Sequence, residues 1–342
     1  MYLGLEVDPG QSIVYCRNYK DVVIAAADGS DPVPFFWSET AMIAPRFSPE
    51  GEKIAALDVG NSNLPASSID VVLVAAWRER GEVVIRDFPL PQFDVDHKLI
   101  VDDAVPPMWE PGGESILVAL NTGIERITLT GDREYLVEED RVYVMTLIPD
   151  GDRVAYSNGE NIFFVSRMTG ERETMLDPDL VPRFGNRQIY AMAFSETGDR
   201  LVFSVGHELY VLSVATKSVE LISKASNGIY WVGWVPGKET IVYLSGREDR
   251  RSFYQPMTYN PDGKYKLTVL TASGERPREI FSQNQFDVRD VTPDLSPDGR
   301  YIAFTGRVGY VKEIYIAATD GSGVTIVTQG GPNRYPHWRP VR

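Results

Sequence analysis

The sequence predicts an all-β chain closed into a ring of seven four-stranded blades, a β-propeller. Three observations predict it. A hairpin unit built on proline, an aromatic and a Pro-Asp-Gly turn recurs from one end of the 342 residues to the other. Four β-rich runs follow one another in each copy, at roughly 40–60 residues per copy. The last copy breaks off after its first strand, and the N-terminus supplies the strands it lacks.

The fullest copy is Pro293-Asp294-Leu295-Ser296-Pro297-Asp298-Gly299, followed by the apolar run Ile302-Ala303-Phe304. Proline presets φ for the turn, Asp can bond the backbone two residues on, and Gly takes positive φ at no steric cost. Copies of this opening strand start near residues 45, 107, 144, 191, 231, 293 and 336. The second strands are Ile54-Ala55-Ala56-Leu57, Ile116-Leu117-Val118-Ala119, Val154-Ala155-Tyr156, Leu201-Val202-Phe203, Ile241-Val242-Tyr243 and Ile302-Ala303-Phe304. Third strands follow in register, among them Glu208-Leu209-Tyr210-Val211 and Glu313-Ile314-Tyr315-Ile316. A polar or Gly turn then leads to a fourth run such as Val83-Val84-Ile85 or Val219-Glu220-Leu221-Ile222.

The copy at 336 stops after one strand. Residues 8–35 offer Asp8-Pro9-Gly10, Ile13-Val14-Tyr15, Asp21-Val22-Val23-Ile24 and the turn Ala27-Asp28-Gly29-Ser30. The ring is therefore expected to close through a composite blade, three outer strands from the N-terminus around an inner strand from the C-terminus, which leaves no exposed end blade. Residues 1–342 read as a single domain. Six blades is the alternative, if the weak copy near Leu147 belongs to a neighbour. The aromatic fixed in strand one (Phe47, Trp109, Phe194, Trp234, Trp338) is expected to pack between blades as core.

These units closely resemble the repeat of the TolB-like β-propellers, which runs Pro-x-Trp-Ser-Pro-Asp-Gly, then Ile-Ala-Phe, then Asp-Ile-Tyr-Val. Residues 293–321 and the tail Gly330-Gly331-Pro332-Asn333-Arg334-Tyr335-Pro336-His337-Trp338 are near-complete matches. The resemblance covers essentially the whole chain, is weakest at 107–131 and 144–165, and is to the propeller domain only, with no counterpart of the N-terminal α/β domain of TolB. It implies a periplasmic or extracellular setting. It does not choose among activities, since the family includes scaffold proteins, propellers that gate peptidases, and lyases.

Composition narrows the partner. A net charge of −14 argues against nucleic acid, which demands clustered Lys and Arg. One cysteine, Cys16, excludes an intramolecular disulfide and sits in an apolar run as an inert thiol. No run reaches the ~18 apolar residues of a membrane helix, so direct membrane insertion is not expected, and the opening residues lack the basic start of a signal peptide. The chain is expected to be a monomer, either a cytosolic protein or a domain of a longer exported one.

Searching for chemistry, the sequence holds no Gly-x-Ser-x-Gly elbow for a peptidase. Three histidines exist: His97, His207 and His337. His97 and His337 could hold a transition metal at the channel mouth if they converge. The carboxylates Asp94, Asp96, Asp102, Asp103, Asp287 and Asp290 gather before inner strands, where they either hold a hard cation such as Ca²⁺ or cap local turns. The connectors also carry interface-type residues, Trp37, Arg187, Tyr190, Trp231, Arg289 and Arg334. Three long connections (58–69, 87–103 and 246–265) add loop surface. The sequence thus points first to a non-enzymatic scaffold that binds a protein, peptide or ligand on the loop face around the channel. The alternatives are a metal-dependent, lyase-like enzyme acting at the channel mouth and an extracytoplasmic sensor domain.

Overall fold

Seven antiparallel sheets follow one another around a central axis in the computed structural model, which describes residues 5–8, 10–60, 71–90, 105–120, 122–139, 142–149, 151–185, 187–246, 266–275, 277–280, 287–288, 292–308 and 311–341. The chain begins with β1 (Ser12–Arg17), β2 (Asp21–Ala26) and β3 (Val33–Trp37). Blade one holds β4 (Met42–Phe47), β5 (Lys53–Asp58), β6 (Val72–Glu79) and β7 (Glu82–Pro89). Blade two holds β8 (Met108–Trp109), β9 (Ser115–Leu120), β10 (Gly123–Thr128) and β11 (Arg133–Glu138). Blade three holds β12 (Val144–Leu147), β13 (Arg153–Ser157), β14 (Ile162–Ser166) and β15 (Arg172–Thr174). Blade four holds β16 (Met192–Phe194), β17 (Arg200–Val205), β18 (Glu208–Ser213) and β19 (Val219–Lys224). Blade five holds β20 (Gly228–Trp234), β21 (Thr240–Gly246), β22 (Lys266–Thr271) and β23 (Arg278–Glu279). Blade six holds β24 (Asp287–Val288), β25 (Asp294–Leu295), β26 (Tyr301–Val308), β27 (Val311–Ala318) and β28 (Val324–Ile326). The last strand, β29 (Asn333–Trp338), pairs with β1, so the sheet order β29-β1-β2-β3 makes the seventh blade from both ends of the chain.

The weak copy near Leu147 is a complete blade, which removes the six-blade alternative. Blade six departs from the expected pattern. Its inner strand is in two pieces, β24 and β25, both paired to β26. Of the three long connections, 61–69, 91–103 and 247–265 lie outside the described residues.

The turn chemistry repeats with the sequence. At Ser296 the hydroxyl donates to Asp298 Oδ1 (2.6 Å) and accepts the Tyr301 N–H (2.9 Å), while the Gly299 N–H closes the turn onto Ser296 O (2.9 Å). Ser48 accepts the Lys53 N–H and Ser195 the Arg200 N–H in the same way. Gly299 has φ 67°, and a Cβ there would be driven into the carbonyl oxygen of Pro236 in the preceding blade. The turn therefore needs glycine both for its conformation and for the seam it touches.

Burial runs outward. The second and third strands are apolar and buried over most of their length, as in β17 and β27, because neighbouring blades cover both faces. Fourth strands such as β15 and β19 face solvent. The strand-one aromatics pack against the preceding blade: Phe194 edge-on to Phe164, Trp338 stacked over Tyr301. Two indoles also bond across the seam, Trp109 Nε1–H to Arg46 O and Trp338 Nε1–H to Asp294 O, both at 3.1 Å.

Candidate binding face and axial channel

Aligning the blades on their turns puts seven residues in one column: Arg46, Met108, Thr146, Ala193, Gly233, Asp294 and His337. Six of them are half-buried, and each lies between residues more buried than itself or as buried. That pattern marks an inner strand turning one side chain between blades and the next toward water in the axial channel. At the seventh, Gly233, the Trp231 indole and Leu295 occupy the space a side chain would take.

The column is chemically lopsided. Three consecutive blades supply Asp294, His337 and Arg46, and the remaining four supply small or apolar groups. Asp294 Oδ2 accepts the Trp338 N–H (2.8 Å), and His337 Nδ1 accepts the Phe47 N–H (3.2 Å). Each side chain thus satisfies a backbone donor of the following inner strand, an edge strand laddered on its outer side only. With Nδ1 accepting, neutral His337 carries its proton on Nε2, which lies 3.9 Å from Asp294 Oδ2. Burial, then the nearby Arg46 cation, pushes the His337 pKa well below its ordinary value. Burial raises Asp294 to about 6 against the pull of Arg46 and of the Trp338 and Leu295 N–H groups. Water still reaches both: the His337 side chain is 18% exposed and that of Asp294 29%.

Five residues before each turn serine or its equivalent stands a second column, at the start of the inner strand. Three successive blades place tyrosines there: Tyr143, Tyr190 and Tyr230. Tyr190, 41% exposed, meets Tyr143 edge-on with ring centroids 5.7 Å apart. Gln188 bridges them, donating to Tyr143 Oη (2.9 Å) and accepting from Tyr190 Oη.

The other expected site residues divide. Trp37 closes β3 on the same face and is 65% exposed. Trp231 is half-buried against blade six, as described above. Arg187 is held by structure: Nη1 donates to Glu208 Oε2 (2.6 Å) and Nε to Phe184 O (2.9 Å), fastening the 3₁₀ turn Val181–Phe184 to blade four. Arg334, expected at the loop surface, is instead 5% exposed within β29, its guanidinium 4.5 Å from the Tyr335 ring centroid. Beside it Glu313 accepts from Asn333 Nδ2 (2.6 Å) and Thr328 Oγ1 (2.7 Å), so the Gly-Gly-Pro-Asn tail is anchored internally. His207 is exposed in its turn. Asp287 begins β24, opposite Arg307. His97, Asp94, Asp96, Asp102, Asp103, Arg289 and Asp290 lie outside the described residues. Among the described residues no three His, Cys, Asp or Glu side chains form a group that could hold a metal ion, and His337 adjoins a cation that would repel one.

From the channel column, the sequence reading singles out His337 alone. Arg46 and Asp294 were hidden because each looks like an ordinary strand residue in its own copy. Only reading the copies against one another shows that they share a position. A second cleft, of about 850 Å³, opens between the composite blade and blade one and is lined by Phe35, Trp77, Lys53, Arg78 and Arg339 among others.

No family model and no curated protein matches the chain. Solved structures do. TolB from Acinetobacter baumannii superposes with a TM-score of 0.56 at 16% identity, over 99% of this chain and 69% of that one. A chain of a mitotic checkpoint complex gives 0.59 at 14% identity, over 92% and 83%. A protein from Bacteroides uniformis ATCC 8492, provisionally described as a 6-phosphogluconolactonase, gives 0.59 at 11% identity, over 96% and 99%. At such identities the likeness is one of fold, and that fold serves assemblies and at least one provisional enzyme alike. The chain is a seven-bladed β-propeller, similar in fold to TolB.

Proposed function

We propose that the protein is a binding scaffold that receives a protein or peptide partner on the face where the inner strands begin, around the channel mouth. The observation that carries this reading is the tyrosine arc Tyr143–Tyr190–Tyr230 with its bridging Gln188. Large, amphipathic rings at low entropic cost are the residues that dominate interface energetics. The exposed Trp37, at the end of the outer strand of the composite blade, offers a separate aromatic contact on that face. A ring of rigid sheets holds these groups in place, so little ordering is lost on association.

The test is quantitative capture with immobilised wild-type protein and a Tyr190→Ala/Trp37→Ala variant, analysed by mass spectrometry from cells of the source organism. Both residues are exposed, so the variant is expected to melt as the wild type does. Partners retained by the wild type should fall at least about tenfold on the variant, the loss of one good aromatic contact. Equal recovery on both would remove this face from the function.

A further inference from the structure

Arg46 enters the channel from β4 with most of its hydrogen-bonding capacity unused. A guanidinium offers five N–H donors. Among the described residues the Arg46 guanidinium makes one hydrogen bond, from Nη1 to the carbonyl of its own neighbour Pro45 at 3.1 Å. It has no carboxylate within ion-pair distance there, although Asp294 is near enough to act on its charge. Arg126 and Arg167, comparably enclosed, both rest on Glu110 at 2.8 and 2.6 Å. An enclosed cation without a partner is costly, and burial pushes the Arg46 pKa down accordingly. Next to it His337 presents Nε2–H as a further donor. The wall then turns to small or apolar groups from Met108 round to Trp231.

We infer that the axial channel binds a carboxylate group, gripped by the Arg46 guanidinium with His337 Nε2–H as an added donor, while the apolar body that bears it lies along the Met108–Trp231 wall. The planar fork of arginine matches a carboxylate two bonds at a time. A doubly charged phosphate fits less well, because its second charge would face Asp294. The group could belong to a free small molecule or to an acidic side chain that a partner inserts. This inference stands whether or not a protein docks on the tyrosine arc.

Calorimetric titration of the whole chain with benzoate, with neutral benzamide and with the acetylated amide of Gly-Asp-Gly tests it. Benzoate should bind and benzamide should not. Arg46→Gln should weaken benzoate by roughly tenfold or more, the worth of a charge-assisted bidentate contact. Asp294→Asn should tighten it several-fold by removing a like charge, a gain that a misfolded variant cannot imitate. Arg46→Lys keeps the cation and covers the case in which the glutamine variant does not fold. Binding of the peptide, lost in the same variants, would assign the carboxylate to a partner chain; binding of benzoate alone would assign it to a small molecule. Equal binding of benzoate and benzamide, no effect of the Arg46 changes, or no saturation by either acidic probe at about 20 mM, beyond the weakest specific range, would overturn the inference.

Discussion

Replacing Asp294 with asparagine should flatten the dependence of stability on pH. Burial raises this carboxyl from an ordinary 3.8 to about 6, so its neutral form is the one the fold prefers. The stabilisation is therefore complete below about pH 4 and is lost as pH rises through about 6. At about 1.36 kcal/mol per pKa unit the rise is worth up to ~3 kcal/mol, and the 29% exposure of the side chain through the channel trims it to ~2 kcal/mol. Asparagine keeps an oxygen for the Trp338 N–H but cannot serve Leu295 as well, which costs about 1 kcal/mol at every pH. Urea unfolding at about pH 4.5 and pH 7.5 reads the difference. The variant should be less stable than the wild type at the lower pH and equal or more stable at the higher, a swing of ~1–2 kcal/mol. If the two proteins keep the same separation at both, within about 0.5 kcal/mol, the carboxyl is not held near neutrality by the channel and the argument fails.

Other perturbations have definite signs. Gly299→Ala should destabilise by ~2–3 kcal/mol in urea melts, since it adds positive-φ strain to a clash with Pro236 O at a blade seam. Glu110→Gln, which removes the charge shared by Arg126 and Arg167, should cost ~3–5 kcal/mol and lower the Tm; an unchanged Tm would mean the cluster is idle. Glu208 is held at about 2 by the ammonium of Lys224 first, with Tyr210 and Arg187 assisting. Its depressed pKa stabilises the fold above about pH 4.5 and is lost as pH falls toward 2, so Glu208→Gln should cost ~1–3 kcal/mol at neutral pH and almost nothing near pH 2, measured by denaturant unfolding across that range.

The repeat made the architecture readable. Each Pro-Asp-Gly turn carries its own instructions in Ser, Pro, Asp and Gly, and a strand buried on both faces needs only to be apolar. Even the shared blade was visible, because Ile13-Val14-Tyr15 lacks an inner partner that Tyr335–Trp338 provides. The site was less legible. Arg334 is an arginine in a connector by sequence, yet the Glu313 network draws that connector inward and buries it against Tyr19 and Tyr335. Arg187 has an interface-like composition around it but is consumed by Glu208. Conversely Tyr143, Tyr190 and Tyr230 lie 40 or more residues apart in sequence, and only the stacking of blades three, four and five lines them up. A single residue type in a strand says which face it takes; which axis that face surrounds is a property of all seven blades.

The strand that fastens the ring is also the middle of the charged arc. His337 sits on β29, with Asp294 of blade six on one side and Arg46 of blade one on the other, and the two side-chain-to-backbone bonds that orient the arc cross the two seams that flank β29. Closure and site formation are one event. During synthesis six blades can be laid down with a gap in the channel wall, and the arc comes into being only as β29 emerges and zips onto β1. Strain that frays this clasp, from heat, tension or a tugging partner, would dissolve the channel's charge pattern together with the packing of Tyr335 and Trp338.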